Sequence, residues 1–267
     1  MSSKFEYKRA IVCGIPSSLP AQAQRLEEPG EGVDLLKARK QHAEYVSTLK
    51  NLGLEVTEMT PDENCPDCVF VEDTAVCVDN TALLAILGHQ SRRPEASRMK
   101  ETLKGLGFNV IEMQDPAILD GGDVLFTGRE FFVGVSTRSN MEGVAALAKA
   151  FPEYPVNSIK VVEHLHLKSM MTMGGPDVIF IGASKVASDA WNELESKAKF
   201  KYQKLVLPED RAANCLYLNG TLVHLAPHEI PESISVYREL PRPKLELENS
   251  ELHKVDGCLT CNSILLC

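Results

Sequence analysis

Residues 48–59 read TLKNLGLEVTEM, and residues 102–113 read TLKGLGFNVIEM. Eight of the twelve positions are identical at an offset of 54 residues, which marks an internal repeat. In both copies an apolar stripe with helical spacing precedes a glycine, and a segment of alternating polarity follows it. Gly53 and Gly107 are therefore predicted to end a helix in the left-handed conformation, and LEVTEM and FNVIEM are predicted strands.

The same order of helix and strand is repeated with a weaker pattern at two further places. Residues 144–151 are a predicted helix before the strand IKVV, and residues 187–198 are a predicted helix before the strand KLVLP. Each of these strands is followed by a second predicted strand with a polar residue near its start. The five such segments are CPDCVFVED, LDGGDVLF, HLHLKSM, RAANCLYL and KVDGCLTCNSILL. Their polar residues, 42 to 53 positions apart, are Asp67, Asp120, His166, Asn214 and Asp256.

A radial arrangement of five such units explains this recurrence, because strands repeated around an axis bring equivalent positions together near its centre. The sequence therefore predicts an α/β fold, a five-bladed α/β-propeller, with residues 1–267 forming one domain. A doubly wound sheet also alternates strands and helices, but it gives no reason for the same polar position to recur. Residues 227–249 contain four prolines and many charges, and are predicted to form an exposed helix and loop.

The composition is that of an ordinary globular chain, with 44% hydrophobic and 24% charged residues. The formal net charge of −9 argues against a nucleic-acid partner, because phosphate backbones are bound by clustered Lys and Arg. No apolar run approaches the roughly 18 residues of a membrane span, and MSSKFEYKR at the N-terminus lacks an apolar signal core. We therefore expect a cytoplasmic protein whose eight scattered cysteines are reduced thiols.

Two acidic segments are candidates for a binding site. Asp67, Glu72 and Asp73 adjoin an apolar core segment, where unpaired anions are costly to bury, so either a cation meets them or they lie at solvated strand ends. In LDGGDVLF, the paired glycines permit either a close backbone approach or a tight turn before a strand. In that segment Asp123 could bond the backbone, which would leave Asp120 free to orient a neighbour.

Histidines and arginines give a second set of candidates. His166 alternates with leucines on a predicted strand and shares its face with His164, so each is either a satisfied core histidine or an acid or base near neutral pH. Arg92 and Arg138 follow predicted strands in apparent loops. Each is either a solvated surface residue or a fork that binds a ligand carboxylate.

Two Cys-x-x-Cys pairs, Cys65 with Cys68 and Cys258 with Cys261, raise the alternative of a four-thiolate zinc site. Zinc ribbons place their pairs within about 15 to 20 residues of each other, and these pairs lie far apart in the sequence. A disulfide between Cys258 and Cys261 is disfavoured if they lie on an extended strand, because positions three apart then span roughly 10 Å.

Several long strings together identify a family resemblance: CPDCVFVEDTAV, LDGGDVLFTGREFFVGVSTRSN, LHLKSM, LPEDRAANCLYLNG and KVDGCLTCNS. All resemble the animal dimethylarginine dimethylaminohydrolases, from about residue 10 to the C-terminus. The resemblance implies the pentein fold, a five-bladed α/β-propeller of ββαβ repeats. It also implies hydrolysis of asymmetric dimethyl-L-arginine and monomethyl-L-arginine to L-citrulline and dimethylamine or methylamine, which would relieve inhibition of nitric oxide synthase.

Carried over residue by residue, the resemblance implies Cys261 as nucleophile, His166 as general acid and base, and Asp120 as the carboxylate that orients the imidazole. The implied substrate contacts are Asp67, Glu72 and Asp73 around the cationic and amino groups, Arg92 and Arg138 at the carboxylate, the carbonyl of Val255, and Asp256 at the guanidinium. No cofactor is implied, although zinc bound to Cys261 is an expected inhibitor. The implied partner is the small-molecule substrate, with neither nucleic acid nor membrane, and the chain is expected to be a monomer or a homodimer.

The sequence also departs from the vertebrate pattern. The segment SSLPAQAQ differs around Gln24, a candidate substrate contact in the family's lid. Cys258 stands where leucine is usual, and Asn262 stands where a second cysteine often follows the nucleophile. Two other readings stay open: a sibling propeller that hydrolyses unmethylated arginine or transfers its amidino group, and a catalytically idle binding or zinc protein.

Overall fold

The computed structural model describes residues 4–27 and 30–267. Its fifteen strands are β1 Arg9–Cys13, β2 Glu55–Met59, β3 Ala75–Val78, β4 Thr81–Leu84, β5 Asn109–Glu112, β6 Val124–Phe126, β7 Phe131–Val135, β8 Val156–Lys160, β9 Met171–Gly175, β10 Val178–Gly182, β11 Gln203–Leu207, β12 Leu216–Leu218, β13 Thr221–Leu225, β14 Lys244–Leu247 and β15 Ile264–Leu266. The α-helices in these ranges are α1 Leu19–Gln22, α2 Leu35–Asn51, α3 Glu95–Gly105, α4 Met141–Ala150, α5 Lys185–Lys197, α6 Ile234–Glu239 and α7 Ser250–His253.

The strands form five three-stranded sheets. In four of them the middle strand pairs antiparallel with the strand before it and parallel with the strand that follows the helix, as β4 does with β3 and β5. A parallel pair requires such a crossover connection, and each helix supplies it. This arrangement confirms the predicted five-bladed propeller of ββαβ units.

The fifth sheet joins the two ends of the chain. Its strand order is β15, β1, β2, and Arg9 is opposite Leu266 in the antiparallel pair of β1 with β15. The helix α2 then leads to β2, which pairs parallel with β1. Closure by the first and last strands brings the last repeat next to the first, so the ring has no gap at this blade.

The repeat that suggested the fold behaves as predicted. Gly53 and Gly107 follow α2 and α3 with φ of +89° and +86°, a conformation that glycine adopts at no steric cost. The segments after them form β2 and β5. Local periodicity therefore identified these helices and strands correctly.

The five polar segments differ from the prediction. The apolar stretches after Asp67, Asp120 and His166 were expected to be strands, but each contains a short 3₁₀ helix, and the strand begins after it. We call these helices the inner turns: Val71–Thr74, Gly121–Asp123, Leu167–Ser169, Asp210–Ala213 and Thr260–Asn262. The first four inner turns contact one another in succession, and the last contacts the first. Short apolar runs do not distinguish a strand from a buried turn.

Residues 227–249 also differ from the prediction of an exposed helix and loop. They contain α6 and then β14, which completes the fourth sheet by pairing parallel with β13. The prolines before β14 hid this strand from the sequence pattern. Within the described residues, no helix is both long and apolar enough to cross a membrane.

Candidate active site

A pocket lies beside the inner turns. Nine of the eleven predicted site residues line it, namely Gln24, Asp67, Asp73, Arg92, Arg138, His166, Val255, Asp256 and Cys261. Phe70, Leu165 and Gly257 complete the lining. The propeller therefore brings together residues from four blades. The two predicted residues outside the lining are Asp120 and Glu72.

His166 forms the centre of a buried hydrogen-bonded group. Its Nε2 lies 3.0 Å from Oδ2 of Asp120 and 3.9 Å from Oδ1 of Asp73. Burial disfavours the protonated imidazole, but the charge of Asp73 and the hydrogen bond to Asp120 outweigh it and raise the pKa of His166 to about 9. The imidazole is therefore protonated at neutral pH and can donate a proton.

Asp120 lies behind His166 and is fully buried. Its Oδ1 accepts a hydrogen bond of 2.9 Å from the backbone N–H of Gly88, and its own N–H donates to Oγ of Ser139 at 3.0 Å. Arg138 Nη1 approaches Oδ2 at 3.8 Å. These contacts fix the carboxylate against the imidazole, which is the orienting position that the sequence predicted.

The two glycines of LDGGD allow this close packing. A Cβ on Gly121 would lie 2.0 Å from the carbonyl oxygen of Glu72, and one on Gly122 would lie 2.5 Å from Nδ1 of His166. The Gly122 N–H also donates to Oδ1 of Asp73 at 2.9 Å. Any larger residue at either position would push the acidic group and the histidine apart.

Asp123, two residues beyond the glycines, was not predicted as a site residue. It accepts hydrogen bonds from the hydroxyls of Ser136 and Ser139 and, at 2.9 Å, from the N–H of Leu167. Burial raises its pKa to about 6, although the charge of His166 and the two hydroxyls oppose the increase. Because it bonds the first residue after His166, it anchors the inner turn that carries the imidazole.

Cys261 lies in the last inner turn and is 8% exposed. The N–H of Cys258 donates to its Sγ at 3.4 Å, and the N–H of Cys261 returns a bond to the Cys258 carbonyl at 3.3 Å. The segment is therefore a turn and not the extended strand assumed for it, so the distance argument against a disulfide does not hold here. Both cysteines are free thiols. The Cys258 side chain, burial and nearby carboxylates raise the pKa of Cys261 well above its usual value.

Four of the five N–H donors of Arg92 have partners within the protein. Its Nη1 binds Oδ2 of Asp73 at 2.6 Å, its Nε and Nη2 bind the carboxylate of Glu95, and Nη2 also donates to the carbonyl of Phe70. Burial opposes ionisation of Asp73, but the charges of His166 and Arg92 outweigh it and lower its pKa to about 2. Arg92 therefore holds Asp73 ionised within the pocket.

The carboxylate of Glu95 was missed by the sequence interpretation. It begins α3, three residues after Arg92, and is 4% exposed. Burial raises the pKa of Glu95 to about 7, and Arg92 counteracts part of that increase. The three-residue spacing to Arg92 was the available signal, since such neighbours meet on one helical face.

A segment after α1 covers the pocket. The N–H of Gln24 donates to Oδ1 of Asp67 at 2.9 Å, and the N–H of Leu26 donates to Oδ2 of Asp256 at 2.5 Å. Burial raises the pKa of both carboxyl groups. The covering segment is thus tied to the pocket through its backbone, which its side-chain sequence alone could not reveal.

Glu72 points away from the pocket. Its carboxylate pairs with Nζ of Lys168 at 2.5 Å and accepts a hydrogen bond from Oγ1 of Thr260 at 3.0 Å. These three residues line a second, larger cavity among the first strands of the five sheets. Glu72 is therefore part of the wall between this cavity and the turn that carries Cys261.

One group of side chains could hold a metal ion. The candidate ligand atoms are histidine ring nitrogens, cysteine sulfurs and carboxylate oxygens. Within residues 4–27 and 30–267, three such atoms lie within 4.8 Å of one another only at Asp73, Asp120 and His166. Cys65 and Cys68 pack in the apolar cluster around β1, β3 and α3, and Cys258 and Cys261 belong to another cluster. The four-thiolate zinc site is therefore not formed.

Comparisons with known proteins identify the family of this chain. The model of the family described as N,N dimethylarginine dimethylhydrolase, eukaryotic, matches residues 23–213. A bovine protein called DDAH2 is 34% identical over 267 residues, covering 96% of this chain and 93% of the bovine one. The N(G),N(G)-dimethylarginine dimethylaminohydrolase of Streptomyces coelicolor is 34% identical over 261 residues, covering 97% of each chain.

A solved structure is also similar over the whole ring. It is DDAH from Pseudomonas aeruginosa, a cysteine-to-serine mutant complexed with citrulline, with a TM-score of 0.86 and 26% identity over 98% of this chain and 100% of that chain. Since the family model and the full-length relatives agree with the five-bladed fold, this chain belongs to the dimethylarginine dimethylaminohydrolase family of hydrolases.

Proposed function

We propose that this chain hydrolyses asymmetric dimethyl-L-arginine and monomethyl-L-arginine to L-citrulline and dimethylamine or methylamine. One observation carries the proposal: Cys261, His166 and the carboxylates of Asp67, Asp73 and Asp256 line a single covered pocket. A thiol, an acid and a set of anions are the groups needed to cleave a C–N bond of a bound cation. The citrulline complex of the Pseudomonas aeruginosa relative supports the same product.

Substrate binding follows from the charges. The guanidinium lies against Asp73, which stays ionised, and the raised pKa values of Asp67 and Asp256 mean that a cation stabilises their charged forms. Arg138 is the cation available to the substrate carboxylate, because Arg92 is engaged by Asp73 and Glu95. The carbonyl of Val255 and the backbone of Gln24 complete the enclosure.

The reaction uses one histidine twice. The Cys261 thiolate attacks the central guanidinium carbon and forms a tetrahedral adduct, and His166 then donates its proton to the departing amine as the C–N bond breaks. A covalent thiouronium remains on Cys261. His166, now neutral, takes a proton from water, whose oxygen attacks the same carbon. Collapse of this second adduct breaks the C–S bond and passes the hydroxyl proton to the departing sulfur, which releases citrulline and the Cys261 thiol. Asp120 holds the imidazole in place throughout.

Activation of the thiol depends on the substrate in this proposal. The pKa of Cys261 is raised in the free protein by Cys258, burial and nearby carboxylates, so the thiol is protonated at neutral pH. A bound guanidinium neutralises part of that negative field and favours the thiolate. A thiolate already formed at pH 6 in the free protein would contradict this step.

The wider role is part of the same proposal. Removal of methylarginines would relieve inhibition of nitric oxide synthase in the cytoplasm, with no cofactor and with a monomer or homodimer as the active form. Zinc is proposed as an inhibitor held by Cys261, since sulfur and imidazole ligands suit this ion and His166 lines the same pocket.

A citrulline assay on the purified protein tests the proposal. Each methylarginine should give equal amounts of citrulline and amine, and a chloroacetamidine-type electrophile should label Cys261. Unmethylated arginine, supplied with and without an amine acceptor, tests the sibling activities through ammonia and ornithine. Turnover should not require zinc, and any zinc bound to the purified protein should lower it. Ornithine formation, or the absence of citrulline from either methylarginine, would contradict the assignment.

A further inference from the structure

Asn214 occupies the fourth recurring polar position, yet it does not line the pocket. It follows the inner turn Asp210–Ala213 directly and precedes β12. Only 2% of its surface is exposed. A buried side-chain amide must be hydrogen bonded, so its partners indicate what it does.

Its partners lie on two other inner turns. Nδ2 donates to the carbonyl oxygen of Lys168 at 2.8 Å and to Oγ1 of Thr260 at 3.0 Å. Oδ1 accepts from the backbone N–H of Thr260 at 3.1 Å. Lys168 is two residues beyond His166, and Thr260 immediately precedes Cys261.

The amide can adopt only this orientation. The Thr260 N–H is a donor and must face Oδ1, whereas the Lys168 carbonyl is an acceptor and must face Nδ2. Both hydrogens of Nδ2 are used. Rotating the amide by 180° would set Nδ2 against the Thr260 N–H, two donors, and Oδ1 against the Lys168 carbonyl oxygen, two acceptors. The side chain therefore defines a single relative position of the two turns.

A second connection joins the same turns. Thr260 Oγ1, which accepts from Asn214, donates to Oε2 of Glu72 at 3.0 Å, and Oε1 of Glu72 pairs with Lys168 Nζ at 2.5 Å. These contacts form a closed loop of four residues, in the order Asn214, Thr260, Glu72 and Lys168. Asn214, Thr260 and Glu72 are buried, so breaking any of these hydrogen bonds leaves a polar group without its partner, and the network resists displacement.

We propose that Asn214 is a positioning residue that fixes the distance between Cys261 and His166 by tying together the two inner turns that carry them. This rests on the proposed function, in which the sulfur and the imidazole act on one substrate. Asn214 touches no reacting atom. Its loss should therefore slow the chemical steps while leaving substrate contacts in place, because reacting groups displaced by about 1 Å can lose about 100-fold in rate.

The test compares Asn214→Ala and Asn214→Leu with Asn219→Gly. The leucine variant keeps the branched shape without the amide. Asn219 is the matched control, since its amide also exchanges two hydrogen bonds with one backbone, that of Tyr7, at a turn of the same blade away from the pocket. Glycine there tolerates the φ of +48°. Melting temperature is measured for every variant.

For both Asn214 variants, kcat for citrulline formation should fall about 100-fold with KM within about threefold of wild type, and Asn219→Gly should match wild type. A kcat within about threefold of wild type for a folded Asn214 variant overturns the proposal. The proposal is also overturned if Asn219→Gly lowers kcat as much as the Asn214 variants do and has a similar melting temperature to theirs. If Asn214→Ala does not fold, Asn214→Leu decides.

A second measurement needs no substrate. Alkylation of Cys261 by iodoacetamide, followed by mass spectrometry across pH, gives the midpoint of thiolate formation. Burial is one of the causes that raise the pKa of Cys261, and loosening the two turns admits water to the sulfur. The midpoint should therefore fall in the Asn214 variants and stay constant in Asn219→Gly. If wild type makes no citrulline, the proposed function fails and this midpoint alone decides: a fall in the Asn214 variants supports the link between the two turns, and an unchanged or higher midpoint overturns it.

Discussion

The two Cys-x-x-Cys segments have the same spacing and opposite surroundings. Cys65 and Cys68 are buried in an apolar cluster, where Sγ of Cys13 lies 3.8 Å from Sγ of Cys68. Cys261 lines a pocket among carboxylates and a protonated histidine. Reactivity of a thiol depends on access and on nearby charge. The spacing of a motif therefore does not identify the reactive sulfur, whereas its position relative to the inner turns does.

The two histidines of HLHLKS repeat this contrast over two residues. His166 is 3% exposed and bound to Asp120 inside the ring. His164 bonds Oδ2 of Asp210 at 2.8 Å with 26% of its side chain exposed. The prediction placed both rings on one face of a strand. The segment is irregular, so one ring enters the pocket and the other forms a partly exposed hydrogen bond with Asp210.

The largest expected effect separates the two cysteine pairs. Cys261→Ser should reduce citrulline formation by at least about 10³-fold, because a serine hydroxyl with no dedicated base cannot replace the thiolate. Cys68→Ser should keep kcat and lose about 1 to 3 kcal/mol of stability, because it places a hydroxyl in an apolar core. Steady-state kinetics and urea unfolding measure the two quantities. Equal losses of activity in both variants would contradict the assignment of Cys261 as the reactive cysteine and Cys68 as a structural one.

A somewhat smaller effect separates the histidines. His166→Ala should lower kcat by about 10²-fold to 10⁴-fold through loss of the general acid. His164→Ala should leave kcat nearly unchanged and change stability by less than about 1 kcal/mol, since a partly exposed hydrogen bond contributes little. The same citrulline assay and thermal unfolding of both variants provide the comparison. A His164 variant as inactive as the His166 variant would show that the pocket has been assigned to the wrong ring.

The smallest expected effect concerns pH. The pKa of His166 is raised from 6.5 to about 9 on folding, so the folded protein binds this proton more tightly than the unfolded chain. Its contribution to stability is complete below about pH 6.5 and is lost as pH rises through about 9, at a total of about 3 kcal/mol. Urea unfolding between these pH values should show this decrease in wild type, and a much weaker one in His166→Ala. Parallel curves for the two proteins would contradict the raised pKa.

Much of the fold could be predicted, because it depends on local patterns. The repeat around Gly53 and Gly107 identified two helices and two strands, and the spacing of the polar positions gave the number of blades. The strand β14 was missed because prolines precede it, and the inner turns were predicted as strands because short apolar runs fit both structures. The site residues could be selected largely through the family resemblance, since a lone acid or histidine has an ordinary structural explanation.

The sequence by itself determined the repeating unit, the number of units and a set of polar positions, because helix and strand periodicity act over a few residues. Only the tertiary structure decided that Asp73 and Glu95 together engage Arg92, that backbone N–H groups of the covering segment bind Asp67 and Asp256, and that Asn214 joins two turns. Those contacts join residues that are mostly far apart in the chain. The resulting pKa values depend on burial and charges supplied by other blades, which no local pattern records.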